Sequence, residues 1–540
     1  MIGARVNLGA FSCVVIIRKP YSFMDCQYLP LDTTGQFSTF FVDYITQNPA
    51  LTPFYNRFPS IDAFGPQIQQ KKTFPAAHRQ TLVSVLERQY AGIQQKPDFA
   101  VLNDPNTFTV TSGHQLNIFT GPLYVVYKLV TIINLAKKLK ETYPDYNFVP
   151  VYWMATEDHD FDEINHFSLF GRKHTWQTTQ KGAVGRMNPA ELADLFKTIP
   201  EKLFLFEEAY LKHDTLADAA RYYMNELFGS EGLICLDADD ADLKKLFTPV
   251  LHEELFQQAS AGLVQQTTQE LETLGYHSVI SPRDINLFYL DDQLRERIER
   301  KENGSFSVVN TKLTFTAEEM DTLVAEYPEK LSPNVVLRPV YQETILPNLA
   351  YIGGPSEVPY WMQLKSVFDH YNLPFPILMP RNFALYVPRV SAKRIARLGI
   401  TPEDLFRNTF ELKRDFVEQH AHNALKFGKE SKLVNQALEM MLQKAMLVDP
   451  TLEKAVLAET KRFANAVTNL EKKMRRAEER NQAVGVSQLL AVKNELFPGD
   501  GLQERSENYL TFYLNDKDFL KKLLHNFDPF DFRMQICLES

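Results

Sequence analysis

Residues 108–166 read FTVTSGHQLNIFTGPLYVVYKLVTIINLAKKLKETYPDYNFVPVYWMATEDHDFDEINH. A short β-type run, Phe108 to Thr111, leads into a polar loop that ends in Gly121-Pro122. Apolar residues at a spacing of three and four follow, and then a second apolar run, Phe148 to Met154. This order predicts strand, loop, helix and strand, which is a βαβ unit. Polar residues follow both strands, and open α/β sheets bind ligands at the carboxyl ends of their strands, so we expect the site there.

The bulk properties exclude several classes of protein. A chain of 540 residues is too long for one compact core, so several units are expected. The net charge of −9 disfavours general binding to nucleic acid or to an anionic membrane. No run of apolar residues is long enough for a transmembrane helix. The four cysteines are widely spaced without a CxxC pair, so neither a disulfide framework nor a cysteine-rich zinc site is expected, and a cytoplasmic location fits.

The patterns along the chain predict an α/β core with a helical insertion, followed by a helical region. Residues 1–23 contain an apolar run without a small-residue cleavage site, so they are expected to be a non-native or disordered extension before Met24. The predicted division is an N-terminal extension 1–23, the first part of the core 24–170, a mostly helical connecting insertion 171–275, the second part of the core with a glycine turn 276–391, a helical coiled-coil region 392–510 and a C-terminal segment 511–540.

A heptad pattern stands out in the helical region. Between Leu452 and Asn481, apolar residues step by four and three for about three repeats, with charged residues on the outer faces. The pattern predicts either a surface helical hairpin or a coiled coil that pairs two chains. The second reading predicts a homodimer.

The glycine loop after the first strand is a candidate anion site. Pro122 suits the first turn of a helix, and free amides at a helix start bind phosphate or carboxylate. His114 and Lys128 could add donors, although an ordinary strand-to-helix turn is the alternative. The candidate binding residues here are Gly113, His114, Gln115, Gly121, Pro122 and Lys128.

The loop after the second strand is acidic. Five carboxylates and two histidines fall between Glu157 and His166. They could bind an ammonium group or Mg²⁺ on ATP phosphates, or could support acid–base work by His159. A metal site from Asp158, His159, Asp160 and His166 is a further possibility, and a solvated loop with helix-capping aspartates is the alternative to all of these. The candidate catalytic residues are Asp158, His159 and Asp160.

A third group of polar residues surrounds a second glycine turn. Arg338, which we expect at the end of a strand, is a natural partner for a carboxylate or phosphate. The paired glycines would allow a ligand to approach the backbone closely. The candidate binding residues are Arg338, Gln342, Gly353, Gly354 and Glu357.

Four long stretches carry a resemblance to a known family. They are GHQLNIFTGPLYVVYK, PVYWMATEDHDFDEINH, LRPVYQETILPNLAYIGGPSEVPYWMQLKSVFDHYNLPFPILMPR and FPGDGLQERSENYL. Together they resemble the bacillithiol biosynthesis cysteine-adding enzymes, the BshC family. The resemblance runs from about Met24 to the C-terminus and leaves residues 1–23 outside it.

The resemblance implies a Rossmann-like core with helical insertions and a C-terminal α-helical coiled coil that is often dimeric. It also implies a cytoplasmic ligase that joins L-cysteine to glucosaminyl-malate through an amide, the last step of bacillithiol biosynthesis. The layout is similar to that of class I aminoacyl-tRNA synthetases, so ATP with Mg²⁺ is a candidate cofactor. The loop from Gly113 to Pro122 stands where those enzymes carry their nucleotide signature, but it holds one histidine, and no Lys-Met-Ser-Lys-Ser loop is present.

These implications assign roles to the candidate residues, and two other functions stay open. Asp158, His159 and Asp160 would bind the cysteine amine or move protons, and Arg338 with Gln342 would bind a carboxylate. One alternative is a metal-dependent hydrolase or glycosyltransferase that uses the cluster from Asp158 to His166. The other is a non-catalytic scaffold organised by the helical region.

Overall fold

A computed structural model describes residues 24–539, so the extension predicted for residues 1–23 lies outside the described residues. The strands within the described range form four sheets. They are β1 (Asp25–Leu29), β2 (Thr107–His114), β3 (Asn147–Met154), β4 (His166–Leu169), β5 (Arg172–Thr175), β6 (Ile234–Asp237), β7 (Leu287–Asp291), β8 (Leu294–Arg300), β9 (Phe306–Val308), β10 (Thr314–Phe315), β11 (Leu331–Pro333), β12 (Asn348–Gly353), β13 (Ile377–Pro380), β14 (Phe383–Val387) and β15 (Met534–Leu538).

Helices cover both faces of the central sheet and make up most of the C-terminal region. Before β12 they are α1 (Thr39–Ile45), α2 (Phe64–Lys71), α3 (Ala76–Gln89), α4 (Leu123–Thr142), α5 (Phe161–Ile164), α6 (Ala193–Thr198), α7 (Phe204–Lys212), α8 (Leu216–Phe228), α9 (Ala241–Lys245), α10 (Thr248–Gln257), α11 (Ala259–Thr273), α12 (Ala317–Glu326) and α13 (Arg338–Ile345). After β12 they are α14 (Glu357–Met362), α15 (Lys365–His370), α16 (Arg389–Leu398), α17 (Thr409–Gln419), α18 (Gly428–Val448), α19 (Glu453–Asn481), α20 (Ala483–Leu496), α21 (Gln503–Ser506), α22 (Tyr509–Tyr513) and α23 (Phe519–Asn526).

The central sheet is parallel and has the strand order β13-β12-β2-β3-β6. The predicted βαβ unit is confirmed as β2, α4 and β3. All eight residues of β2 are buried, and so is most of α4, as expected for a parallel sheet covered on both faces. Because the strands are parallel, their carboxyl ends lie along one edge of the sheet. These ends are His114, Met154, Asp237, Gly353 and Pro380.

The block 171–275, predicted as a mostly helical connecting insertion, contributes one strand to the core. The strand inside it, β6, pairs in parallel with β3 and completes the central sheet. A short apolar run between helices does not indicate which strand it pairs with, so only the structure shows its place in the sheet. Apart from β5 at its start, the rest of the block is mostly helical, as predicted.

The second part of the predicted core also differs from expectation. Strands β7 to β11 form a separate antiparallel sheet with the order β10-β9-β8-β7-β11. The strand predicted from Asn334 to Val340 is a turn followed by the first residues of α13, where Pro339 occupies the first helical turn. The Asn334 side chain accepts a hydrogen bond from the amide of Val336 at 2.8 Å and closes the turn. Arg338 therefore begins a helix and does not end a strand.

The C-terminal region is helical, as predicted, and contains a coiled-coil hairpin of α18 and α19. The chain then returns to the core, where β15 lies between β1 and β14. Cys26 and Cys537 face each other across β1 and β15 and form a disulfide, contrary to the expectation of no such bond. The pair is separated by 511 residues, so spacing could not reveal it. Within residues 24–539, no helix is both long enough and apolar enough to cross a membrane.

Candidate active site

A cavity of about 670 Å³ opens at the carboxyl edge of the central sheet. The loops after β2, β3, β12 and β13 line one side of it, which is where the sequence predicted the site. Strand β8, the start of α13, residues between 281 and 288, and Arg505 of the C-terminal region also line it. Seven lysine and arginine side chains and five aspartate and glutamate side chains border the space. Such a lining suits a substrate that carries both negative and positive groups.

Lys128 and Glu357 form a buried ion pair in the cavity wall. Their Nζ and Oε2 atoms are 2.6 Å apart, and Lys128 also donates to the carbonyl oxygen of Gly113 at 3.0 Å. Glu357 accepts from the amide of Gly354 at 2.7 Å and from the hydroxyl of Tyr351 at 2.9 Å. Burial raises the pKa of Glu357, but Lys128 and the Gly354 amide outweigh it and hold the pKa at about 2. Glu357 is therefore an anion at neutral pH, whereas burial lowers the pKa of Lys128 and Glu357 opposes that shift.

His114 lies beside this pair, and its Nε2 is 3.4 Å from the hydroxyl of Tyr124. Burial, together with the charge of Lys128, lowers the pKa of His114 to about 3. The imidazole is therefore neutral at physiological pH. A neutral imidazole can still donate one hydrogen bond, so the predicted contact with an anion would be a hydrogen bond and not an ion pair.

The burial of His114 leads to a prediction about how stability depends on pH. The unfolded chain holds a proton on His114 below about pH 6.5, whereas the folded chain takes one up only near pH 3. The stabilisation is thus present above pH 6.5 and is lost as the pH falls towards 3. Urea denaturation of His114→Gln should show a smaller loss of unfolding free energy between pH 7 and pH 5 than the parent chain shows. His277→Gln, at an exposed histidine, should keep the parent slope; equal slopes for all three chains would contradict the prediction.

The helix start predicted as an anion site is occupied by the chain itself. The amide of Leu123 donates to the carbonyl oxygen of Glu507 at 2.7 Å. The side chain of Asn508 donates to the carbonyl oxygen of Gly121 at 2.6 Å, and its backbone forms a bridge to Pro122. Gly121 and Pro122 do not line the cavity. Gly121 is needed for its positive φ of 67°, and a Cβ there would lie 2.4 Å from Cβ of Asn117.

The acidic loop contributes a different cluster from the one predicted. Arg295 of β8 places NH1 2.8 Å from Nδ1 of His159 and 3.7 Å from Oδ1 of Asp158. Its guanidinium lies 4.0 Å from the ring centroid of Phe288 and also donates to Ser332 at 3.1 Å. A guanidinium can only donate, so Nδ1 of His159 is the acceptor and the ring proton is on Nε2. His159 therefore offers the cavity a hydrogen-bond donor.

Asp158 and Asp160 use their carboxylates to shape the loop. Asp158 accepts from the amide of His159 at 2.7 Å, and Asp160 caps α5 by accepting from the amide of Glu163 at 3.3 Å. Burial raises the pKa of Asp158, but the neighbouring His159, which donates its backbone amide, and the charge of Arg295 outweigh it, so the pKa lies well below its usual range. Both carboxylates border the cavity, where they could hold an ammonium group.

The metal site proposed from Asp158, His159, Asp160 and His166 is not assembled. His166 begins β4, contacts the side chain of Asn165 and does not line the cavity. Among the residues that the structure describes, no group of three or more His, Cys, Asp or Glu side chains is arranged to hold a metal ion. The hypothesis of a hydrolase or glycosyltransferase with a metal at this cluster therefore lacks the metal ligands that it requires.

Behind the acidic loop lies a buried charge network. Glu157 lines the cavity and pairs with Nζ of Lys244 at 2.5 Å, and Lys244 also contacts Asp239 at 3.2 Å. Asp239 in turn accepts two hydrogen bonds from Arg186, at 2.7 and 3.0 Å. Burial raises the pKa of Glu157, and Lys244 opposes that shift. The network holds the loop after β3 against the helical block.

Gly185 gives a direct test of how tightly this loop is packed. Its amide donates to the carbonyl oxygen of Thr156 at 2.8 Å, and an added Cβ would lie 2.5 Å from Cβ of Thr156. Gly185→Ala should lower the unfolding free energy by about 1–3 kcal/mol in urea denaturation. Gly262→Ala is the matched control, because nothing lies within 4 Å of its Cβ position inside α11. It should be neutral or gain up to about 1 kcal/mol; an equal loss in both variants would contradict this packing.

The third predicted group lies partly in the cavity wall and partly behind it. Arg338 borders the cavity and donates to the hydroxyl of Tyr360 at 2.8 Å and to the side chain of Gln342 at 3.3 Å. Gln342 is fully buried and passes a hydrogen bond on to Glu343, so it positions Arg338 and does not reach the cavity. Gly354 borders the cavity, whereas Gly353 ends β12 behind it.

Several cavity residues were not among the candidate site residues chosen from the sequence. Arg295 and Arg297 lie on a strand with the sequence LRERIER, whose charges hide the strand signal. Arg381 follows β13, and Arg505 comes from the C-terminal region. Glu163 also borders the cavity, where Gln115 donates to it at 3.1 Å. Burial, followed by the charges of Asp158 and Asp160, raises the pKa of Glu163, and a raised pKa favours a role as proton acceptor.

Comparison with known proteins gives the family. Residues 24–382 match the model for the N-terminal Rossmann-like domain of bacillithiol biosynthesis BshC, and residues 384–539 match the model for its C-terminal coiled-coil domain. A Flavobacterium johnsoniae protein is 41% identical over 515 residues, which is 93% of this chain and 96% of that protein. A Cytophaga hutchinsonii protein is 38% identical over 520 residues, covering 96% of this chain and 99% of the relative. Both are named "Putative cysteine ligase BshC".

Fold, cavity and relatives together define a ligase with a Rossmann-like core and a C-terminal coiled-coil domain. The chain belongs to the BshC family, as the resemblance in the sequence had indicated.

Proposed function

We propose that this ligase joins L-cysteine to the glucosamine nitrogen of glucosaminyl-malate, forming the amide of bacillithiol in the last step of its synthesis. The observation that carries the proposal is the mixed charge of the cavity at the carboxyl edge of the sheet. Glucosaminyl-malate brings two carboxylates and an amine, and cysteine brings an ammonium group and a carboxylate. Seven basic and five acidic side chains border a space of about 670 Å³, which suits this pair of substrates.

Each group of residues has a role in the proposal. Arg338, positioned by Gln342, binds a malate carboxylate, and Asp158 and Asp160 hold the ammonium group of cysteine. His159 donates from Nε2 to an oxygen on the reacting carboxyl group, where negative charge develops as the amine attacks. The C–N bond forms while the carboxyl C–O bond breaks, and Glu163 accepts the proton that the amine nitrogen loses. Gly113, Gln115 and Gly354 shape the wall around these groups.

Amide formation needs an activated carboxyl group, and ATP with Mg²⁺ is the proposed source. The usual phosphate position of a Rossmann fold is filled here, because Glu507 and Asn508 cover the start of α4. Other donors in the cavity fit phosphate, since Arg381 has a buried Nε without a hydrogen-bond partner. Arg381 would hold a phosphate, and the nucleotide would convert one carboxyl oxygen of cysteine into part of a leaving group.

The test is mass spectrometry of a reaction that contains the protein, glucosaminyl-malate, cysteine and ATP with Mg²⁺, run beside a reaction without ATP. We expect a product heavier than glucosaminyl-malate by one cysteine residue, formed together with AMP or ADP. Product without nucleotide turnover would keep the ligase function and remove ATP from it. No product in either reaction, from folded protein, would overturn the proposed function.

We also propose that the protein is a homodimer in the cytoplasm, and the hairpin of α18 and α19 supports the pairing of two chains. Neither helix has a buried residue within one chain, and apolar side chains such as Leu433, Met440 and Leu447 are exposed. These three residues are spaced by seven along α18, and an apolar stripe that stays exposed in one chain suits pairing with a second chain. Light scattering at micromolar concentration should give the mass of two chains, and a monomer would contradict it.

A further inference from the structure

A short stretch of the C-terminal domain reaches the cavity at the carboxyl edge of the central sheet. Residues 503–508 are held by buried polar contacts to three separate parts of the Rossmann-like domain or of the strand that follows it. Gln503 exchanges hydrogen bonds with both backbone groups of Tyr386, at 3.0 Å each. Asn508 donates to the carbonyl oxygen of Phe119 at 2.7 Å, in the loop after β2. A segment anchored at both ends holds the side chains between its anchors in place.

Glu504 and Arg381 form the deepest contact of this stretch. Both side chains are 1% exposed, and NH2 of Arg381 donates to Oε1 of Glu504. Arg381 also donates to the carbonyl oxygen of Asn382 at 2.9 Å. Its Nε is buried without a hydrogen-bond partner, and the side chain borders the cavity. A buried donor without a partner carries a desolvation cost that a ligand oxygen would remove.

The next residue, Arg505, is exposed and also borders the cavity. Its guanidinium carbon is 6.0 Å from the ring centroid of Tyr124, and that of Arg381 is 5.4 Å from the same centroid. The Tyr124 hydroxyl is 3.4 Å from Nε2 of His114, so this ring stands inside the candidate site. Within residues 24–539, Arg505 makes neither an ion pair nor a side-chain hydrogen bond.

We propose that Arg505, together with Nε of Arg381, binds an anionic group of a substrate, so that the C-terminal domain supplies part of the active site. Two guanidinium groups beside one aromatic ring, one of them unpaired, form a site for a carboxylate or a phosphate. Only the identity of the molecule that carries this anion rests on the proposed function. The malate carboxylates and the ATP phosphates are the two sources.

The test measures anion binding directly, apart from turnover. Trp153 borders the cavity, so its fluorescence can follow titration of the full chain with L-malate and, separately, with inorganic phosphate and ADP. Arg505→Gln removes the charge at an exposed position where folding is not at risk. Arg476→Gln is the matched control, because it removes an exposed arginine from α19, away from the cavity.

Arg505→Gln should weaken binding of at least one anion by about ten- to a hundredfold, the usual effect of losing hydrogen bonds to a charged group. Arg476→Gln should bind as the parent chain does, and Arg505→Lys should recover part of the loss. A loss confined to malate assigns a substrate carboxylate, and a loss confined to phosphate and ADP assigns the nucleotide. Equal binding in the parent chain and Arg505→Gln, or no binding of any of these anions to the parent chain, would overturn the proposal.

The two proposals fail in different ways. If no amide product forms but anion binding depends on Arg505, the site stands and the ligase reaction with these substrates does not. If product forms and Arg505→Gln keeps both the parent binding and the parent KM for every substrate, the reaction stands and the role of Arg505 does not.

Discussion

Replacing Arg381 with methionine is expected to lower the free energy of unfolding by about 3–5 kcal/mol. The change leaves the carboxylate of Glu504 buried at 1% exposure without its partner charge, and an unpaired buried charge is among the costliest defects in a protein. The loss should appear as a lower urea midpoint of the transition that includes the C-terminal domain, because Glu504 belongs to the stretch that docks this domain on the core.

Two further variants identify the cause of that loss. Arg533→Met removes one partner of an exposed pair, Arg533 with Asp531, and should cost at most about 1 kcal/mol. The double variant Arg381→Met with Glu504→Leu removes both buried charges and should recover most of the stability lost in Arg381→Met. A double variant as unstable as the single one would show that packing, and not the unpaired charge, dominates.

His159→Ala should lower kcat by about a hundredfold, whereas His159→Gln should stay within about tenfold of the parent chain. The difference follows from Arg295, which donates to Nδ1 and leaves the proton on Nε2. Glutamine can present an N–H to the cavity in place of Nε2, and one donor to a developing negative charge contributes about two to three orders of magnitude in rate. Steady-state amide formation, measured by mass spectrometry, gives both rates.

The controls separate this role from general-base catalysis. If His159 removed a proton from the amine, glutamine would be as inactive as alanine, and that result would contradict the donor role. His166→Ala is the matched control, since His166 follows the same loop but does not border the cavity, and it should keep the parent kcat. The comparison holds only if all three variants unfold at the same urea midpoint as the parent chain.

The sequence predicted those parts of the fold that depend on local patterns. The unit of β2, α4 and β3 follows from apolar spacing and a glycine loop, and the C-terminal helices follow from their heptads. Pairings between distant segments could not be predicted from one chain. Strand β6 joins β3 across a helical block, and Cys26 meets Cys537 across 511 residues. Strand β8 was missed because its face toward the cavity is charged.

The candidate site, like the fold, was predicted only in part. The edge of the sheet was predicted, because polar residues after parallel strands meet there. The contact between His159 and Arg295 was not predicted, because Arg295 is 136 residues away along the chain and lies on the antiparallel sheet. Gly121 and Pro122 looked like a phosphate loop because their local pattern is that of a helix start. Only the packing of Glu507 and Asn508 against them reveals that the chain fills this position itself.

The central claim is that substrates bind and react at the carboxyl edge of the parallel sheet. A crystal structure of the protein with glucosaminyl-malate tests it most directly. We predict density in the cavity bordered by Arg338, His159 and Glu357, with at least one malate carboxylate in contact with an arginine. Density at the opposite edge, in the cavity beside Lys137 and Lys140, with the predicted cavity empty, would contradict the claim.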